Sequence, residues 1–273
     1  MKKFFVFLIF VLVFSSGCSK SSQKVPLRLV TTTSINDSGI LPVLLDEFKK
    51  EYSIDVEVLA VGSGQALELA RRGDADILIV HSPADEESFI EDGYGKERIP
   101  FMKNYFVIAG PPDDPCRILG KSADDAFKAI AENGCQFISR ADASGTNKKE
   151  LAIWKEVNIS PDGKEWYLKS GSGMGASLIL ASEKGAYILT DKATFMTVAY
   201  NKLPLKIFVE NDNSLLNIYS IITLNSDKVP HVVALKGEIN DFVNFITSSN
   251  AARSIIEDFG KDKFGFPLFE LLN

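Results

Sequence analysis

Apolar strand patterns alternate with helical patterns along almost the whole chain after residue 26. Residues 27–30, for example, form a short apolar strand pattern, and residues 38–52 follow with apolar side chains at helical spacing. The 273 residues suffice for one large α/β domain or for two lobes of ordinary size. Such alternation is typical of parallel sheets covered by helices. We therefore predict an α/β fold with mostly parallel sheets.

Two breaker-rich segments interrupt this alternation. Residues 110–115 (GPPDDP) form the densest cluster of Gly and Pro, and residues 210–214 (ENDNS) separate two late strand patterns. Segments of this composition are typical places for a chain to pass between lobes. We therefore predict two α/β lobes joined by two hinge crossings, with residues 27–109 and 211–273 in lobe 1 and residues 110–210 in lobe 2.

The N-terminus predicts export. Lys2 and Lys3 precede an unbroken apolar run of 11 residues, from Phe4 to Phe14. A helix of that length covers roughly 16 Å, about half of a bilayer core, which suits a secretory signal and is too short for a membrane span. We therefore predict that residues 1–17 are a signal peptide.

A cysteine follows this apolar run. Residues 15–18 read Ser-Ser-Gly-Cys and resemble the lipobox of bacterial lipoproteins, in which the cysteine is lipidated. We therefore predict that Cys18 carries a lipid and that residues 18–26 are a lipidated, polar tether to a membrane. An ordinary signal peptide with an incidental cysteine is the alternative.

Composition and charge exclude several classes of function. The chain has 30 basic and 36 acidic residues, a formal charge of -6, and loss of the signal peptide removes two lysines and no acid, leaving -8. This charge disfavours non-specific binding to nucleic acid, so we expect no nucleic-acid partner. Three cysteines and two histidines are too few for a disulfide scaffold or a conventional zinc cluster, so we expect no protein-held metal.

Export makes a disulfide chemically permissible. Cys116 and Cys135 are the pair that remains when Cys18 carries the lipid, and they flank a helical pattern over residues 126–131. A bridge closing a loop of this size would stabilise the fold by about 3 kcal/mol. Two buried free thiols are the alternative.

Four junctions between a strand pattern and a helix pattern are rich in Ser, Thr and Gly. They are residues 31–34, 62–64, 139–146 and 170–175. In open parallel sheets, ligands bind outside the carboxyl ends of the strands, where helix N-termini offer unpaired N–H groups and partial positive charge. One such junction is usually only a cap or a turn. Four, with two in each predicted lobe, predict an anion site in the cleft.

Arg140 is the only basic residue within these junctions. Its guanidinium can donate two parallel hydrogen bonds, which suits a tetrahedral oxyanion. An ion pair with Asp142 is the alternative role. We expect His81, directly after an apolar strand pattern, to be structural, and Lys148, Lys149 and Glu150 to lie on a solvated helix face.

The familiar catalytic motifs are absent from the sequence. It contains no G-x-S-x-G elbow, no G-x-x-x-x-G-K-[ST] phosphate loop, no H-E-x-x-H and no G-x-G-x-x-G after a strand pattern. We therefore expect a binding protein that is not an enzyme and needs no cofactor.

Five segments resemble the tungstate-binding (TupA-type) proteins of bacterial ABC importers, which are related to molybdate-binding proteins. The segments are LVTTTSINDSGILP (29–42), VGSGQALELARRGDADILIVHSP (61–83), SRADASGTNKKELAIWK (139–155), GSGMGASL (171–178) and AYILTDKATF (186–195). The resemblance implies the type II periplasmic-binding-protein fold and an exported solute-binding protein that captures tungstate, or molybdate, for an ABC permease. The metal then enters only as the centre of its oxyanion.

The resemblance also implies the residues that hold this oxyanion. They are Thr32, Thr33, Ser34, Ser63, Arg140, Ser144 and Thr146, with Ser172 and Gly173 at the border of the cleft. Ala141 departs from the family, which usually has Gly there, and a positive φ at this position would strain an alanine.

Location and assembly follow from the same interpretation. We expect a monomer on the periplasmic or extracellular face, tethered to the membrane through Cys18. A receptor for phosphate, sulfate or another anion, and an exported enzyme on the same fold, are the alternative functions.

Overall fold

The computed structural model describes residues 25–272, over which strands and helices alternate as the sequence predicts. The predicted signal peptide, Cys18 and nearly all of the tether lie outside these residues. The strands are β1 (Leu27–Thr32), β2 (Val56–Val61), β3 (Ile77–Val80), β4 (Gly95–Gly110), β5 (Phe137–Ser139), β6 (Tyr167–Lys169), β7 (Tyr187–Asp191), β8 (Lys206–Val209), β9 (Leu216–Leu224) and β10 (Glu270–Leu271).

The helices lie between these strands and at the C-terminus. They are α1 (Thr33–Ser38), α2 (Ile40–Tyr52), α3 (Ser63–Arg71), α4 (Pro83–Glu91), α5 (Ala123–Asn133), α6 (Gly145–Glu156), α7 (Met174–Lys184), α8 (Lys192–Val198), α9 (Lys236–Ser248), α10 (Asn250–Asp258) and α11 (Lys261–Phe264), with 3-10 turns at Asn213–Leu215 and Pro230–Leu235. Among the described residues, no helix is both long and apolar enough to span a membrane.

The strands are ordered β2-β1-β3-β9-β4-β7-β5-β6, and β8 and β10 pair with β4. We call β1, β2, β3 and β9, with the helices α1 to α4, the first strand group, and β5, β6, β7 and β8, with the helices α5 to α7, the second. Strand β1 is parallel to β2 and β3, and β5 is parallel to β6 and β7. All pairings of β4 and β9 are antiparallel. The predicted α/β fold class is confirmed, with the parallel pairs at the two outer parts of a mixed arrangement.

Strand β4 carries the chain from the first strand group to the second. It pairs with β9 as far as Tyr105, and from Phe106 onward it pairs with β7 and β8. The passage therefore lies inside a strand, several residues before the segment 110–115 where the sequence placed it. The early part of β4 lacks an apolar strand pattern because it is charged and contains Pro100, which lies at a register shift.

Residues 210–214, the second predicted crossing, lead from β8 towards β9. Leu216 of β9 pairs with Tyr105 of β4, so the two crossings lie side by side. Two adjacent strands therefore connect the two strand groups. The lobe boundaries themselves stay a prediction.

A disulfide joins Cys116 and Cys135, whose Cα atoms lie 6.3 Å apart. It spans α5, which packs on an aromatic core behind the second strand group. In that core the rings of Phe127 and Trp154 have centroids 4.3 Å apart, and Phe137 lies within 5.4 Å of both. The bridge therefore closes the loop around the helix that covers this core.

Candidate functional site

Four helices begin at the four Ser-, Thr- and Gly-rich junctions. Thr32 precedes α1, Gly62 precedes α3, Ser144 precedes α6 and Gly173 precedes α7. Each helix follows a strand of a parallel pair, and parallel strands end at the same edge of their sheet. The first backbone N–H groups of these helices have no intrahelical partner and carry partial positive charge, which favours an anion beside them.

The junctions of the two strand groups lie against each other. A Cβ built on Gly62 would lie 3.3 Å from the Cα of Ser144, and one built on Gly145 would lie 2.9 Å from the carbonyl oxygen of His81. A side chain at Gly145 would therefore collide with the backbone of the opposite group. Glycine permits this close approach, which brings the start of α6 onto the ends of β2 and β3.

The guanidinium of Arg140 joins the two groups. Its side chain is 2% exposed, and Nη2 donates to Oγ1 of Thr33 at 3.0 Å and to a carboxylate oxygen of Asp142 at 2.5 Å. The ion pair that the sequence left as an alternative is therefore present. Because Asp142 offsets the charge of Arg140, the pair offers an anion a directed donor and little net charge.

Buried polar atoms without a partner are concentrated at this site. Among the described residues, no hydrogen-bond partner is present for Ser63 Oγ, His81 Nδ1, Arg140 Nε or Thr146 Oγ1, and the remaining atoms of this kind lie along β9. A buried polar group without a partner costs about 1–3 kcal/mol, so native proteins leave few of them. The donors among them, on Ser63, Arg140 and Thr146, lie at or just before the starts of α3 and α6, and they suit an oxygen-rich ligand that accepts hydrogen bonds.

The structure places His81 inside the site, although the sequence placed it among the structural residues. Its Nε2 lies 2.8 Å from Oγ of Ser34, which lies 3.2 Å from Oγ1 of Thr32. Burial and the nearby charge of Arg140 lower the pKa of His81 to about 4, so the imidazole is neutral at pH 7. Its position directly after β3, whose carboxyl end borders the site, was the available sequence signal.

At the fourth junction, Ser172 donates its hydrogen bonds to Ser170. The Ser172 hydroxyl donates to the backbone oxygen of Ser170 at 3.1 Å, and the Ser172 N–H donates to Ser170 Oγ. The hydrogen of this hydroxyl is therefore already donated within the turn that contains Ser172. Gly173, by contrast, approaches the first strand group, because a Cβ built on it would lie 3.7 Å from the side chain of Thr33.

The loop between β5 and α6 holds two alanines in the left-handed region. Ala141 has φ +48 and Ala143 has φ +56. This conformation costs an alanine roughly 1–2 kcal/mol relative to glycine, so the departure at Ala141 falls where the sequence predicts strain. Ser144 caps α6 by accepting the N–H of Asn147 at 3.3 Å, which leaves its own hydroxyl hydrogen available.

Glu150 is a buried carboxylate that supports this loop, and the expectation that it lies on a solvated helix face is wrong. Glu150 accepts hydrogen bonds from Ser139 Oγ at 2.7 Å, Asn147 Nδ2 at 3.2 Å, Trp154 Nε1 at 3.1 Å and Tyr167 OH at 2.5 Å. Burial raises the pKa of Glu150, and these donors oppose that rise. The side chains of Ser139 and Asn147 in turn accept N–H groups of the loop backbone, so the alanine conformations are fixed by neighbours.

The chemistry of the donor set suits an anion and not a cation. Hydroxyls, backbone N–H groups and the guanidinium of Arg140 converge, and Asp142, a carboxylate that contacts them, is paired with Arg140. Within residues 25–272, no group of three or more His, Cys, Asp or Glu could hold a metal ion. The fold and this site define an α/β binding protein that encloses an anion between two groups of strands.

Comparisons with known proteins agree with an α/β anion-binding protein and indicate which family it belongs to. The model of the PBP superfamily domain matches residues 19–250. The tungstate-binding protein TupA of Peptoclostridium acidaminophilum is 44% identical over 253 residues, which cover 92% of this chain and 87% of that protein. The TupA of Campylobacter jejuni is 36% identical and covers 82% of this chain and 84% of that protein.

Solved structures give the same result. The tungstate ABC transporter structure from Geobacter sulfurreducens is 40% identical, with a TM-score of 0.76 over 86% of this chain and 98% of that chain. The tungstate-binding protein TupA from Desulfovibrio alaskensis is 38% identical, with a TM-score of 0.75 over 91% of this chain and 99% of that chain. The chain therefore belongs to the TupA family of the PBP superfamily. The type II periplasmic-binding fold predicted from the resemblance is confirmed.

Proposed function

We propose that this protein is the solute-binding component of an ABC importer and that it captures tungstate, or molybdate, outside the cytoplasm. The observation that carries the proposal is the group of buried donors without partners at Ser63, Arg140 and Thr146, where helices from both strand groups begin. A tetrahedral oxyanion has acceptor atoms on all sides and can satisfy donors that approach from both groups.

Electrostatics is consistent with this ligand. Moving a dianion out of water is costly unless many hydrogen bonds replace its hydration. Four helix starts and the buried hydroxyls supply such bonds, and hydrogen bonds to a charged group contribute about 1.5–3 kcal/mol each. Because the protein is acidic overall, selectivity must come from these short-range contacts and not from long-range attraction.

The geometry of the site does not decide which oxyanion binds, so the preference for tungstate has a different basis. Tungstate and molybdate are nearly identical in size and shape, so hydrogen bonds separate them poorly. The tungstate preference in this proposal is supported by the names of the relatives in Peptoclostridium acidaminophilum and Campylobacter jejuni. Phosphate and sulfate are the alternative ligands of the same geometry.

Calorimetric titration with tungstate, molybdate, sulfate and phosphate tests the ligand. We expect tungstate and molybdate to bind much more tightly than the other two. Affinity for sulfate equal to that for tungstate would refute the tungstate assignment, and heat from none of the four anions would refute the oxyanion receptor.

Replacement of the guanidinium tests the site. Arg140→Ala removes the unpaired Nε donor and should weaken tungstate binding by about 1.5–3 kcal/mol, which is roughly 10- to 150-fold. Arg140→Lys keeps the charge and loses the planar fork, so it should recover only part of this loss. The control is Arg253→Ala, which removes an exposed arginine of α10. Equal affinity of Arg140→Ala and unmodified protein would place Arg140 outside the site.

The proposal extends to location and partners. The protein would be held at the outer face of a membrane through lipidated Cys18, bind its anion as a monomer, close its lobes around it and deliver it to a permease. Mass spectrometry of the N-terminal peptide tests the anchor, because a lipidated Cys18 adds the mass of its acyl chains. A mature N-terminus without lipid at a residue other than Cys18 would refute the lipid anchor.

One observation favours a second candidate, an exported enzyme. Ser34 Oγ and His81 Nε2 lie 2.8 Å apart, which is the spacing of a hydroxyl nucleophile and its base. The pKa of about 4 makes His81 a weak base at neutral pH. Release of product from phosphate or carboxylate esters, lost in Ser34→Ala, would establish this candidate. Binding of tungstate without turnover of any ester supports the receptor.

A further inference from the structure

One ion pair joins the two strand groups beside the site. Nζ of Lys148, in α6 of the second group, pairs with a carboxylate oxygen of Asp85, in α4 of the first group. The side chains are 38% and 29% exposed, so the pair lies at the edge of the cleft. Lys148 therefore contacts the opposite group and is only partly solvated, whereas the sequence predicts a solvated helix face.

The pair lies close to the ligand-binding junctions. Lys148 is in the first turn of α6, and its Nζ lies 3.6 Å from a Cβ built on Gly64 at the start of α3. Asp85 also accepts a hydrogen bond from Ser82 Oγ at 2.5 Å, and Ser82 directly follows His81. Both charges are thus fixed to segments that form the cleft.

We propose that Asp85 and Lys148 are positioning residues that hold the cleft closed over the bound oxyanion, an inference that rests on the proposed function. The two residues are on elements of different strand groups, so their contact exists only when the groups meet. An interaction made only in the closed form raises its population, and ligand affinity rises with that population.

A purely electrostatic role makes the opposite prediction. If Lys148 acted only by attracting the dianion, Asp85 would act only by repelling it. Removing the charge of Asp85 would then strengthen binding. If the pair holds the cleft closed, the same change weakens binding, because it removes the contact between the groups. The sign of the effect of Asp85→Asn therefore distinguishes the two roles.

The expected size of the loss in affinity follows from the exposure of the ion pair. Partly exposed ion pairs of this kind change an equilibrium by a factor of about two to five. The loss should appear mainly as faster dissociation, because the contact forms after the ligand has entered. It should also shrink in high salt, which screens partly exposed charges.

A double-mutant cycle tests the inference, and the probe is tungstate. If the unmodified protein binds another of the four anions instead, that anion is the probe. The variants are Asp85→Asn, Lys148→Met, the pair of both, and the charge swap Asp85→Lys with Lys148→Asp. Matched controls are Glu87→Gln on α4 and Lys155→Met on α6, which remove the same charges at exposed positions. Thermal unfolding without ligand verifies that each variant is folded.

We expect each single variant to bind about two- to fivefold more weakly, the double variant to be no weaker than either, and the swap to recover affinity. The controls should stay within a factor of 1.5 of the unmodified protein. Tighter binding by Asp85→Asn, or losses that simply multiply in the double variant, would overturn the inference. Failure of the proposed function is seen separately, in the unmodified protein, as absence of binding to any of the four anions.

Discussion

The lowered pKa of the buried His81 predicts how the stability of the fold changes in acid. The ring of His81 packs 4.9 Å from that of Tyr219, and its pKa is lowered from 6.5 to about 4, chiefly by burial and also by Arg140. In the unfolded chain this histidine has its ordinary pKa. Between pH 6.5 and 4 the unfolded chain therefore binds a proton that the folded protein does not bind.

The sign and the size of the change in folding stability follow from this difference in proton binding. The contribution of His81 to stability is complete above pH 6.5 and is lost as the pH falls towards 4. At 1.36 kcal/mol per pH unit the total loss is about 3 kcal/mol, of which about 2.5 kcal/mol is lost by pH 4.5.

Other buried groups act in the opposite direction. Burial raises the pKa values of Glu86, Glu150 and Asp191, so the folded protein binds their protons more readily than the unfolded chain does. Falling pH therefore strengthens the fold through these carboxyl groups. The His81 contribution must be measured as a difference between two proteins that share them.

Urea unfolding at pH 7.5, 6.5, 5.5 and 4.5 provides that difference. We compare the unmodified protein with His81→Gln, whose amide can still hydrogen-bond to Ser34 and does not titrate. The advantage of the unmodified protein should shrink by about 2.5 kcal/mol between pH 7.5 and 4.5. The same comparison in a His231→Gln background should give the same result. Parallel stability curves for the two proteins would refute the reasoning.

Three further predictions concern the bridge, the strained loop and the unpaired hydroxyls. Reduction of the bridge between Cys116 and Cys135 should lower the free energy of unfolding by about 3 kcal/mol, measured in urea with and without reductant. Ala141→Gly should raise the melting temperature, because it removes about 1 kcal/mol of strain. Ser63→Ala and Thr146→Ala should each weaken tungstate binding about tenfold in calorimetry without destabilising the ligand-free protein, because neither hydroxyl has a protein partner there.

Local chemistry explains what could be predicted from the sequence. The alternation of apolar patterns predicts the α/β class, since side-chain periodicity is a property of each element alone. Likewise, hydroxyls and glycines before α3 and α6 mark helix starts through capping and backbone freedom, which operate over a few residues. The sequence therefore located all four junctions at which these helices begin, and the structure adds that the Ser172 hydroxyl bonds within its own turn.

The remaining features depend on pairing between distant segments. The passage of β4 between strand groups is set by its partners β7 and β9, which come roughly 80 or more residues later in the chain. His81 belongs to the site because β3 ends beside α6, and Lys148 meets Asp85 because two groups of strands close on each other. No local pattern encodes which loop tips will meet, because that is decided by the packing of the whole chain. The sequence by itself determined the elements and the donors at their ends, and only the tertiary structure decided which of these donors face one another.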